Sequence, residues 1–138
     1  MFNSSSTAEE TIQSLLKDKP PDYFQVVKEY DRAVVEYFQT DQFPRAGNAF
    51  FRGDINARKI PDPLKKVSAR TLLNKTLSEL LETEKHYTGS AEACLVISND
   101  YLKSIKSTNS RTENIYNLDN FAKYFFKTLQ LYSYSEQN

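Results

Sequence analysis

The sequence predicts an all-α fold, a single-domain bundle of five or six mostly antiparallel helices. Apolar residues recur every three to four positions through most of the chain, the period of one helix face. Three Gly and five Pro are too few for a sheet-rich protein with many tight turns. With 138 residues, 39% hydrophobic and 26% charged, the chain can build one shared core. The expected organisation is a flexible polar leader over 1–6 and one helical domain over 7–138.

Thr7 and Glu10 have the spacing of a capping box, so a first helix starts there, presents Ile12, Leu15 and Leu16, and stops at Pro20-Pro21. A second helix is expected from Asp22 to Gln39. Tyr23, Val27, Tyr30, Val34 and Tyr37 keep to one face, and Phe24, Val26, Val35 and Phe38 widen it. Phe43, Ala46, Phe50 and Phe51 suggest a short third helix ended by Gly53, followed by a turn through Pro61 and Pro63. Leu73, Leu77, Leu80 and Tyr87 mark a long helix from Leu64 to Tyr87, with Gly89 as its C-terminal cap. Ser90 opens another helix, whose centre at Cys94-Leu95-Val96-Ile97 reads as buried, and Lys106 to Asn114 reads as a loop. The last helix, from Leu118 to Tyr134, is expected to turn Leu118, Phe121, Ala122, Phe125, Leu129 and Tyr132 toward the core.

Formal net charge is zero, so no global field draws the protein to nucleic acid or membrane. The charge is nonetheless uneven, because Arg52 to Lys75 holds seven basic residues against Asp54 and Asp62. Arg52, Arg58, Lys59, Lys65, Lys66 and Arg70 are therefore a candidate patch for anions, whether phosphate groups or an acidic partner surface. The single Cys94 excludes an internal disulfide framework and fits a reducing compartment. The start of the chain lacks a basic and apolar secretory pattern, and no apolar run approaches the roughly 20 residues of a membrane span. An intracellular location, cytoplasmic or nuclear, is expected, with no transmembrane segment.

No GxxxxGK[ST], GxGxxG, HExxH or GxSxG string occurs. One His and one Cys cannot supply a four-ligand zinc site, so neither a metal nor a cofactor is expected. No residue nominates itself as catalytic. The one arrangement the inventory would permit is a Cys–His pair made of His86 and Cys94, with Glu82 orienting the imidazole.

Ala46 to Asp54 resembles the first helix of a tetratricopeptide repeat, and Tyr30 to Tyr37 resembles its second. A repeat array is rejected, since the two segments lie too close together for the 34-residue period. Leu77 to Tyr87 is similar to the opening helix of the Dbl-homology domain of Rho-type exchange factors, in which Glu79 or Glu82 would face the GTPase. That assignment is not adopted either, because too little sequence follows to supply the remaining long helices.

Eighteen aromatics, nine Tyr and nine Phe, exceed what a small core needs, and such rings suit interface cores. The expected function is therefore that of a non-enzymatic interaction module, an adaptor or subunit of a larger assembly. Its partner would be another protein or a second copy, met through Tyr23, Tyr30, Tyr37, Phe38, Tyr132 and Tyr134. The alternative is a binder of anionic surfaces, phospholipid head groups or nucleic acid, through residues 52–75. Salt sensitivity separates the two.

Overall fold

The computed structural model describes residues 7–137, in which all regular structure is helical. The helices are α1 (Ala8–Leu15), α2 (Tyr23–Gln39), α3 (Phe43–Arg58), α4 (Pro63–Thr83), α5 (Tyr87–Ser107) and α6 (Arg111–Glu136). The all-α class matches the sequence reading, while the leader over 1–6 lies outside the described residues. The chain forms two compact units, divided between Leu73 and Asn74. That division falls inside α4 and not at the Pro61–Pro63 turn.

In the first unit, Thr7 and Glu10 close the capping box of α1 as its sequence spacing requires. Asp22 caps α2 by accepting from the Gln25 N–H at 3.2 Å. The end of α2 is closed by Asp41 in the left-handed region (φ 60°), with the Gln42 N–H on the Tyr37 carbonyl at 2.8 Å. This Schellman turn sends α3 back antiparallel, and Phe38 meets Phe43 edge-on at 5.0 Å across it.

The expected end of α3 at Gly53 is corrected, because the helix continues to Arg58 and Gly53 sits buried in its interior. The buried face is Ala46, Ala49, Gly53, Asn56 and Ala57, whereas Phe43 and Phe51 are exposed. Close approach explains the exchange: a Cβ at position 53 would lie 3.0 Å from Leu73 Cδ2 and 3.1 Å from Tyr30 Cβ. Asp62 and Pro63 then start α4, with the Asp62 carboxylate accepting from the Lys65 N–H at 3.2 Å. Val27, Ala57, Ile60, Ala69 and Leu73 form the buried cluster, and Tyr23, Phe24 and Phe50 pack against it.

In the second unit, α4 stops at Thr83, four residues before the expected Tyr87. Lys85 takes the left-handed conformation (φ 62°), and the His86 N–H reaches the Leu81 carbonyl at 2.8 Å. Gly89 is thus not the cap. It lies in the first turn of α5, where a Cβ would stand 3.1 Å from Leu81 Cδ1. Opposite it, Ser78 and Ser90 form a buried clasp between α4 and α5. The hydroxyls lie 2.8 Å apart, and each donates to the other's carbonyl, at 3.2 and 2.7 Å. The expected loop shrinks to 108–110, because Ser110 caps α6 by accepting from the Glu113 N–H at 3.3 Å. α6 runs antiparallel to α5, with Tyr134 on Tyr87 (5.5 Å), Tyr116 on Tyr101 (6.0 Å) and the Phe121 carbonyl accepting from Ser98 Oγ (3.2 Å).

Candidate docking face on the last helix

α6 buries the less apolar of its two sides. Asn117, Tyr124, Thr128 and Leu131 are its buried residues, and at 100° per residue they span an arc of about 60°. Centred roughly 140° away, Ile115, Leu118, Ala122, Phe125, Phe126 and Leu129 share one arc of about 100°. Of these, Ile115 is 55% exposed, Leu118 56%, Phe126 69% and Leu129 50%. The expected core stripe of Leu118, Phe125 and Leu129 is therefore corrected. The true inward positions, 117, 121, 124, 128 and 131, are the expected ones shifted back by about one residue. The side facing α5 mixes small and large groups: Ser98 Oγ reaches the Phe121 carbonyl, and Tyr124 stacks on the buried Tyr101 ring with centroids 6.4 Å apart. A continuous apolar ridge on a helix of 26 residues is left facing outward.

The six aromatics expected at a partner surface divide between the two units, four in the first and two in the second. Tyr132 and Tyr134 belong to α6, Tyr132 half-buried beside the ridge and Tyr134 exposed against Tyr87. Tyr23, Tyr37 and Phe38 are half-buried in the first unit, and Tyr30 is buried there. Tyr37 Oη donates to Glu9 at 2.7 Å, and that hydrogen bond raises its pKa. The expected anion patch does not gather into one site. Arg58 and Arg70 divide the Asp54 carboxylate between them, at 2.9 and 3.1 Å, and Lys59 lies 5.7 Å over the Tyr23 ring. Lys65 is exposed and Lys66 half-buried on the first turn of α4. Arg52 instead lines a cleft of about 620 Å³ with Arg45, Glu9, Glu10 and Tyr37, where both signs of charge are present.

His86 and Cys94 are not brought together as a nucleophilic pair. His86 is exposed at the head of α5, and Cys94 is buried eight positions on, about 12 Å along the axis. Burial pushes the Cys94 thiol up in pKa, against a weaker opposing effect of its 3.1 Å contact with Ser78 Oγ. Such a thiol is a poor nucleophile. Glu82, expected to orient His86, instead pairs with Lys127 at 3.2 Å. Among the described residues there is no group of three His, Cys, Asp or Glu able to hold a metal ion, and no helix long and apolar enough to cross a membrane.

Comparison with family models, curated proteins and solved structures finds no match. The site's own geometry carries the functional argument. Ile115 and Phe126 were outside the sequence reading of this helix, although both share the helical face of Leu118 and Leu129. The signal that could have found them is the width of the pattern. A helix apolar on one side and supplied with Tyr124 and Leu131 on another has more apolar surface than one neighbour can cover.

Proposed function

We propose that this chain is a non-catalytic helical interaction module that docks a protein partner on the exposed ridge of α6. The single observation that supports the reading is that ridge: large apolar side chains from Ile115 to Leu129, on one face of a capped helix and facing solvent. A ridge of this length, flanked by Lys123 and Asp119, has the composition of an interface core with a polar rim. The partner is an apolar surface or a helix laid alongside, the helix-to-helix form of recognition.

The test compares the wild-type chain with Leu118→Glu/Leu129→Glu as baits at low and high salt. Both positions are half exposed, so the variant keeps its helical content. The expected result is a companion retained by the wild type at either salt concentration and lost by the variant. Companions retained equally by both baits refute the reading. Retention that collapses with salt in both would favour charge-driven capture instead.

A further inference from the structure

We propose that two copies of this chain pair through α6, side by side and antiparallel; the inference rests on the reading of the α6 ridge as a docking face. Ile115, Leu118, Ala122, Phe125, Leu129 and Tyr132 follow one another at alternating steps of three and four. That is the seam of a two-helix coiled coil. One further step of four beyond each end lie Arg111 and Glu136, both exposed. The seam is therefore apolar along its length, positive at one end and negative at the other.

This polarity selects the orientation. Let a two-fold axis pass between positions 123 and 124. Arg111 of each copy then stands opposite Glu136 of the other, so the charge match occurs twice. Leu118 faces Leu129, Ile115 faces Tyr132, and the small Ala122 faces the large Phe125. The parallel arrangement sets like against like. It would place two Arg111 together and two Glu136 together, leave a gap between two Ala122 and crowd two Phe125. Size and charge both favour the antiparallel pair, and its two-fold symmetry closes the assembly at a dimer. The helix is about 39 Å long, enough for more than three heptads of contact.

The full chain is tested by sedimentation equilibrium from roughly 1 µM to roughly 1 mM, the range of transient to moderately stable association. Wild type should pass from monomer to dimer and stop there. Leu118→Glu/Leu129→Glu should remain monomeric with unchanged helical CD. Arg111→Glu and Glu136→Arg should each weaken the dimer roughly tenfold, and combining them should restore it. A parallel dimer gives no such restoration, so a dimer indifferent to both charge variants overturns the arrangement. A wild type that stays monomeric throughout overturns self-pairing. If a companion is nevertheless lost from the ridge variant, the face serves a different protein. If none is lost, the docking reading falls as well.

Discussion

Leu129 and Leu131 offer a controlled comparison, since the same residue type occurs twice within one turn of α6. Leu131 has no exposed surface and Leu129 keeps half of its own. Truncating Leu131 to Ala removes fully buried methyl groups and leaves a cavity against α5, a loss of about 3 kcal/mol. Leu129→Ala removes groups that water already reaches, and its cost is below about 1 kcal/mol. With a urea slope of about 1.5 kcal/mol per M, the midpoint falls by about 2 M for Leu131→Ala and by less than about 0.7 M for Leu129→Ala. The assay is urea unfolding followed by helical CD, at a protein concentration where scattering shows monomer, so that loss of a dimer does not enter. Both residues lie in the same compact unit. Any departure from two-state unfolding thus affects the two variants alike. Equal losses, or a larger loss at Leu129, would mean that the ridge is core and α6 is turned by about one residue.

The helical glycines Gly53, buried, and Gly89, half-buried, separate by what surrounds them. Gly53→Ala meets Leu73 methyls and the stiff Tyr30 Cβ, and is expected to destabilise by about 1–2 kcal/mol, while Gly89→Ala meets only one Leu81 methyl and should be near neutral in the same urea assay. Lys85→Gly relieves a left-handed lysine at the end of α4 and should raise the melting temperature, by the equivalent of about 0.5–1 kcal/mol; a lower melting temperature would contradict the cap geometry. Cys94 has a folded-state pKa raised by burial, so its contribution is complete below the unfolded thiol value and is lost as pH rises through the folded one. Urea midpoints taken at about pH 8 and about pH 10 should therefore fall further for wild type than for Cys94→Ala. An equal fall would show that the thiol is not shielded.

Much of the fold was legible because local signals are short-range. The Thr7–Glu10 box, the start of α2 at Asp22 and the Pro61–Pro63 turn each depend on a few consecutive residues, and each appears where the sequence places it. What failed was the assignment of faces. Phe51 in α3 and Leu118, Phe125 and Leu129 in α6 read as core because large apolar residues at helical spacing normally are. Their neighbours Gly53, Ala57, Asn117 and Thr128 took the interior instead. Periodicity identifies a face but not which of two competing faces a neighbour will cover. That choice depends on interhelical distance, which no single helix encodes. The same ambiguity hid the exposed ridge of α6: Leu118, Phe125 and Leu129 read as interior, and Ile115 and Phe126 fell outside the expected stripe.

The misassigned faces share one physical cause. Where Ala46, Ala49, Gly53 and Ala57 line α3, and Ala91, Ala93, Cys94 and Ser98 line α5, short side chains let neighbouring backbones come close. Contacts as tight as the Ser78–Ser90 clasp then become possible. Close approach gains dispersion contacts per residue, and the rings that cross between α5 and α6, Tyr124 on Tyr101 among them, cover the inner side of α6 and not its outer face. Phe51, Leu118, Phe126 and Leu129 on the remaining faces keep half or more of their surface exposed. They stay in water at a cost of about 1 kcal/mol or more for each half-exposed Leu or Phe, relative to full burial. Retaining several of them in one continuous row on α6, when Gln or Lys would serve an isolated helix equally well, is the arrangement expected of a surface that another helix covers.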